Sequence, residues 1–226
     1  MTIRGFLERS AERHPTLNAL KWYENKEWKS RNWTDFLKGV REVAEGYGSK
    51  LGLKPREENV AIILGNSPVW MESYLAQAGA GVSVAPLDPK LHNEEVEYIL
   101  KDAEATIVTT DTAHLKMMMQ IAGNLPALKA IVIVDGVIAE GQKIGNVEVI
   151  AYEALRISGG GAWYDANCAK PEDVASIIYT SGTTGKPKGA MLTHRNFVSD
   201  IEGALKTFNV KITHEDSLMI VLPLFH

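Results

Sequence analysis

Ten consecutive residues, Thr180-Ser-Gly-Thr-Thr-Gly-Lys-Pro-Lys-Gly189, hold the side chains of this sequence best suited to chemistry. Their types fit a loop wrapped around a polyphosphate. Hydroxyls at Thr180, Ser181, Thr183 and Thr184 can donate hydrogen bonds, and Gly182, Gly185 and Gly189 let backbone N–H groups approach anionic oxygens. Lys186 and Lys188 add compensating charge. A solvated turn also favours Gly, Ser, Thr and Pro, but this ordered string is far longer than a turn requires. A Walker-type loop is excluded by spacing, because it needs Gly-x-x-x-x-Gly-Lys followed by Ser or Thr at the mouth of a helix. Here Gly185-Lys186 is followed by Pro187, and Lys188 by Gly189.

Other candidates are weaker. Gly159-Gly-Gly161 opens no helix and fits no dinucleotide fingerprint, so it reads as a loop. Cys168, the one cysteine, has no His or acidic motif beside it and reads as incidental. A histidine such as His226, at the end of an apolar strand, is by itself most simply a packed residue.

The elements that must position the loop follow from periodicity. Val174-Ala-Ser-Ile-Ile-Tyr179 is a buried strand leading into it, and Ala190-Met-Leu192 leads out to a helix capped by Thr193. His194 and Arg195 fall at that helix start and read as structural. Upstream, residues 3–13 have helical spacing, 19–23 and 27–31 flank a polar turn as a hairpin, and 33–48 form an amphipathic helix. Short β-branched runs at 59–64, 82–85, 105–110 and 130–134 then alternate with helical segments near 67–79, 93–102 and 112–123. This alternation predicts an α/β fold, a mostly parallel sheet covered by helices on both faces. The stretch 157–171 is the best candidate for a linker between subdomains.

Composition bounds the partners. At 226 residues, 45% hydrophobic and 23% charged, the chain is balanced as a globular protein, and a core is within reach. Net charge is −4 without a Lys/Arg block, so a nucleic-acid partner has no electrostatic support. No apolar run reaches the roughly 18 residues of a membrane span, and the N-terminus lacks a signal-peptide core. The expected location is the cytoplasm, with at most peripheral contact with a membrane.

Tyr179 through Gly189, followed by Met191-Leu-Thr-His-Arg-Asn196, resembles the signature of the adenylate-forming (AMP-binding) enzymes: acyl- and aryl-CoA ligases, luciferases and peptide-synthetase adenylation domains. Ala78 through Asp88 is similar to the family's upstream helix-to-strand motif, and Leu222-Pro-Leu-Phe-His226 to the motif that brings a histidine to the acyl site. The resemblance covers essentially the whole chain. It implies part of the N-terminal large domain of that fold, spanning 1–226. The implied activity uses ATP to convert a carboxylic acid, here a fatty acid, to an acyl-adenylate, which CoA then captures. Thr180, Ser181, Gly182, Thr183, Thr184, Gly185 and Lys188 are the implied phosphate grip, Thr180 also helping to hold magnesium (Mg2+). His226 is the implied residue at the acyl-adenylate and thiol path. Lys186 falls where the family accepts several residue types, so a solvated charge is the simpler reading.

Peptide-synthetase domains resemble Phe-Asp where this chain has Phe225-His226, which favours the CoA-ligase branch over an amino-acid or aryl-acid adenylation domain. A non-catalytic nucleotide-binding module is the alternative from another class. The family's adenine- and ribose-binding segments, its magnesium-binding glutamate and the catalytic lysine of its small C-terminal domain normally lie beyond His226. The sequence is therefore expected to be an N-terminal fragment, inactive alone, whose open sheet edge would allow a homodimer.

Overall fold

The computed structural model describes residues 1–180, 185–209 and 211–225. Ser181, Gly182, Thr183, Thr184 and His226 of the expected site lie outside the described residues.

Helix α1 (Ile3–Arg13) begins at the Thr2 cap, whose side chain accepts from Gly5 N. It is followed by the hairpin β1 (Asn18–Glu24) and β2 (Glu27–Asn32), turned at Asn25 and Lys26, both at positive φ. Helix α2 (Trp33–Ser49) starts at Asn32, which accepts from Asp35 N. The alternating half then runs β3 (Asn59–Ile63), α3 (Pro68–Ala78), β4 (Ser83–Leu87), α4 (Asn93–Asp102), β5 (Ala105–Thr110), α5 (Thr112–Ile121) and β6 (Ala130–Ile133). Next come β7 (Lys143–Ile144), β8 (Val147–Ala151), and the short helices α6 (Tyr152–Leu155) and α7 (Ala162–Ala166). The order closes with β9 (Val174–Thr180), β10 (Lys188–Thr193) and α8 (His194–Thr207).

Eight strands form one sheet in the order β10-β9-β4-β3-β5-β6-β8-β7. All neighbours are parallel except the two outer pairs, β10 with β9 and β7 with β8. The expected α/β fold with a mostly parallel sheet is what the chain forms. Its central strands are buried on both faces because alternate side chains serve two cores. Val60, Ile62, Val84, Ile107 and Val132 join α2 and α3 on one face. Ala61, Ile63, Leu87, Val108 and Ile131 join Val96, Ile99 and Leu100 of α4 and Met118 and Ile121 of α5 on the other.

On the first face a charge is folded in. Glu72 of α3 is fully buried and meets Arg31 (3.1 Å), Arg156 (2.9 Å) and the Tyr152 hydroxyl (3.1 Å). Desolvation alone would lower the Arg156 pKa, but the Glu72 hydrogen bond and charge outweigh it and hold the guanidinium firmly protonated.

The stretch 157–171 connects α6 to β9, as a linker would, but it is tied down along its length. Gly159 N and Gly161 N donate to the carboxylates of Glu42 and Glu45 on α2, so the N–H groups of that glycine cluster are already taken. Within α7, Tyr164 is fully buried under the Arg4 guanidinium, 3.9 Å from the ring centroid, and Arg41 grips Asp165 through both oxygens.

Two local expectations are corrected. Ala190-Met-Leu192 belongs to a full strand, β10, which pairs antiparallel with β9 and forms the sheet edge. Conversely, the apolar run before Phe225 forms neither helix nor strand. No described strand lies alongside it, and Leu218 and Leu222 remain 88% and 74% exposed.

Candidate functional site

The parallel strands β3, β4, β5 and β9 all end at one edge of the sheet, the edge where open α/β folds bind ligands. Thr180 is the last residue of β9 and Lys188 the first of β10, and the two are direct register partners. The expected phosphate loop is therefore a seven-residue connection, 181–187, with a hydroxyl at one root and an ammonium at the other. Both Thr180 and Lys188 are exposed. Gly185 has φ +92°, a conformation that favours glycine, with no described residue within 4 Å of where a Cβ would stand.

What holds this hairpin in place is helix α4. The Tyr179 hydroxyl donates to Asp102 Oδ2 at 2.7 Å, and Lys186 Nζ stands 5.4 Å from the centroid of the Tyr98 ring. Tyr98 and Asp102 are one helical turn apart, so one face of α4 moors both arms. Partial burial, then the hydrogen bond and charge of Asp102, push the Tyr179 pKa up, which keeps the phenol a donor. Gly189, opposite Tyr179, has no room for a side chain, since a Cβ would come within 2.7 Å of Ile177 Cγ2 and 3.0 Å of Tyr179 Cζ. Lys186, read from the sequence as a solvated charge, instead lies near an aromatic face, while Lys188 stands at the loop root with no side-chain partner among the described residues.

Behind the hairpin, α8 starts at a capping box in which Thr193 and Asn196 bond reciprocally. His194 is completely buried: Nδ1 accepts from Ile3 N (3.3 Å) and Nε2 donates to the Ala78 carbonyl (3.1 Å). Burial lowers its pKa, and those partners require the neutral ring. His194 is structural, as expected. Arg195 pairs with Glu172 on the surface. Asp88, at the end of the β4 motif, accepts from Lys90 N in a local turn, and Gly79 packs against the Tyr164 hydroxyl, so that motif is structural as well.

One participant was not foreseen. Asn66, just past β3, donates from Nδ2 to Leu222 O and accepts at Oδ1 from Leu224 N, both at 2.8 Å. It brings the Leu222–Phe225 run to the same sheet edge as Thr180, two strands away, or about 10 Å at normal strand spacing. In the sequence Asn66 sits in Gly65-Asn-Ser-Pro68, which reads as a turn before a helix, and no local pattern points to partners 156 and 158 residues away.

A magnesium ion fits the donor at Thr180 only as a shared ligand. One hydroxyl suits an ion whose remaining ligands are phosphate oxygens and water. Among the described residues no group of three or more His, Cys, Asp or Glu side chains forms a protein cage for a metal.

The AMP-binding enzyme family matches residues 7–226. The chain belongs to that family. It is 34% identical over 225 residues to human long-chain-fatty-acid–CoA ligase 1, covering 94% of this chain and 31% of that protein. It is 30% identical to the medium-chain-fatty-acid–CoA ligase of Ectopseudomonas oleovorans, covering 100% of this chain and 41% of the relative. The chain therefore spans well under half the length of these relatives. Among solved structures, the o-succinylbenzoate CoA synthetase of Bacillus subtilis with its acyl-adenylate superposes with a TM-score of 0.71 at 24% identity. That match covers 100% of this chain and 50% of the synthetase and establishes the shared fold. Among the described residues no helix is long and apolar enough to cross a membrane.

Proposed function

We propose that this AMP-binding chain supplies the phosphate-gripping part of an ATP-dependent acid–CoA ligase whose acid is a fatty acid. The observation that carries the reading is the pairing of Thr180 with Lys188 at the two roots of a hydroxyl- and glycine-rich loop, on the ligand-binding edge of the sheet. The fatty-acid ligases among its relatives favour the acid class.

In the first step a carboxylate oxygen attacks the α-phosphorus of ATP. The bond to the bridging oxygen breaks and pyrophosphate leaves, carrying the negative charge. The chain's task is to hold that leaving group and offset the repulsion between two anions. Ser181, Gly182, Thr183, Thr184 and Gly185 donate to the β- and γ-phosphates, and Lys188 supplies the charge that strengthens as the bond breaks. Thr180 shares a magnesium ion, which screens the phosphates when bound. In the second step the CoA sulfur attacks the acyl carbon, AMP departs, and the thiol proton passes to solvent. The role given to His226 is at the acyl-adenylate and the thiol path, without acting as nucleophile. The same reading gives a cytoplasmic enzyme, with a homodimer through the β10 edge as its macromolecular contact.

The test is exchange of labelled pyrophosphate into ATP by the longer protein containing this chain, with fatty acids of graded length, alongside AMP release with CoA. Exchange that depends on the fatty acid supports the reading. ATP binding with no AMP under any acid would make this a non-catalytic nucleotide module, and exchange with amino acids alone would place it among the peptide-synthetase domains.

A further inference from the structure

We propose that Asn66 is a positioning residue: its side-chain amide fixes the backbone of the Leu222–Phe225 run at the carboxyl edge of the sheet, on the side of the site away from the phosphate-loop hairpin. The contact stands on its own geometry, while its consequence for catalysis rests on the function proposed above.

The Leu222 carbonyl and the Leu224 N–H are the acceptor and donor that one edge of an extended chain offers to a neighbouring strand. Here no described strand takes them; Asn66 does, with Nδ2 and Oδ1, each at 2.8 Å. Only a carboxamide presents a donor and an acceptor side by side at this reach; an aspartate loses the donor and a leucine loses both. Asn66 stands two residues before Pro68, whose fixed φ in the first turn of α3 sets the direction of the chain there. Packing does less for the run. Leu218, Met219, Val221 and Leu222 are exposed, and Leu224 leans on the core only partly buried. The phosphate-loop hairpin is moored separately, through Tyr98 and Asp102 of α4. Changing Asn66 therefore disturbs one side of the site and leaves the other.

Three variants of the 226-residue chain test the contact: Asn66→Leu, Asn66→Asp and, as a control on the same turn, Ser67→Ala. Residue-resolved hydrogen exchange at Leu224 N–H is expected to accelerate about tenfold in Asn66→Leu, as for one lost hydrogen bond, and to stay near the parent rate in Ser67→Ala. Asn66→Asp keeps the acceptor and loses the donor, so Leu224 stays protected. An isotope-edited infrared band of the Leu222 carbonyl shifts to higher frequency in that variant, which decides the question if Asn66→Leu does not fold. Unchanged exchange in a folded Asn66→Leu, or an unshifted carbonyl in Asn66→Asp, overturns the proposal. In the longer ligase, Asn66→Leu is expected to lower kcat by about tenfold while the KM for ATP stays within about twofold. Parallel changes in both would show loss of general structure and overturn the positioning role. If the longer protein shows no ligase activity, the functional reading fails, and the exchange and infrared results still decide the contact.

Discussion

Lys186 and Lys188 carry the same charge two residues apart, yet their surroundings differ. Lys188 shares a register position with Thr180 and has no described side-chain partner of its own, whereas Lys186 lies over the Tyr98 ring. On the function proposed above, Lys188 makes a charge-assisted contact that strengthens as pyrophosphate leaves, worth about 2–4 kcal/mol, so Lys188→Ala in the longer protein is expected to lower the adenylation rate by about two to three decades. An exposed cation–π contact is worth about 0.5–1 kcal/mol, and Lys186→Ala is expected to cost less than about fivefold. Pyrophosphate exchange measures both, and equal small effects would move the phosphate away from Lys188. The neighbouring glycine makes a second residue-level case. A methyl at 189 would press on the Ile177 side chain and the Tyr179 ring at 2.7 Å and 3.0 Å, forcing β10 off its partner. Gly189→Ala is expected to cost about 1–3 kcal/mol, read as a lower midpoint in urea. An unchanged midpoint would mean that the hairpin yields freely.

At the scale of elements, the helix that follows the loop is pinned from behind by a histidine, and that pin is sensitive to acid. His194 accepts from Ile3 at one ring nitrogen and donates to Ala78 at the other, and burial outweighs the Ala78 hydrogen bond and the Asp173 charge that favour its protonation. Its folded pKa lies below the ordinary 6.5, so the unfolded chain takes up the proton first as pH falls. The stability it contributes is full above about pH 6.5 and is lost as pH drops from there through the depressed folded value. The thermal midpoint is expected to fall across that window, and His194→Gln, which keeps a donor and an acceptor, is expected to flatten the slope. An identical pH profile in the variant would show that other groups set it. Elements of this kind were largely legible in the sequence, because their signals are local. The Thr193 cap, the 33–48 amphipathic stripe and the β-branched runs each announce themselves within a dozen residues. The β7–β8 hairpin was missed, although Ile144-Gly-Asn-Val147 has a turn's composition, because a two-residue strand has no periodicity to read. The moorings of the site were not legible at all. Tyr179 with Asp102 and Asn66 with Leu222 join residues 77 and 156 positions apart, and their types look ordinary where they stand.

For the molecule as a whole, the central strands of the sheet are buried on both faces, while most of the chain beyond α8 is exposed. Leu218, Met219, Val221 and Leu222 form an exposed apolar run of the sort that marks a surface awaiting cover. The 226-residue chain is expected to bind an apolar dye, and Leu218→Ser with Val221→Ser is expected to lower that signal severalfold. Because both positions are exposed, the thermal midpoint should move by no more than about 2 °C. Undiminished dye binding would locate the sticky surface elsewhere, at Phe208 or at the Tyr23 and Trp28 pair. The strand order has a last consequence, for the making of the protein. Strand β9 fills the place beside β4, meeting it at Val84 and Ser176, yet about ninety residues are translated between the two strands. At ordinary ribosome speeds that leaves the outer side of β4 bare on the nascent chain for on the order of 10 s. An unpaired strand edge of this kind is open to pairing with another copy, so the yield of folded protein is expected to fall when translation of residues 88–173 is slowed, as a pulse-chase comparison of fast and slow codons there would measure.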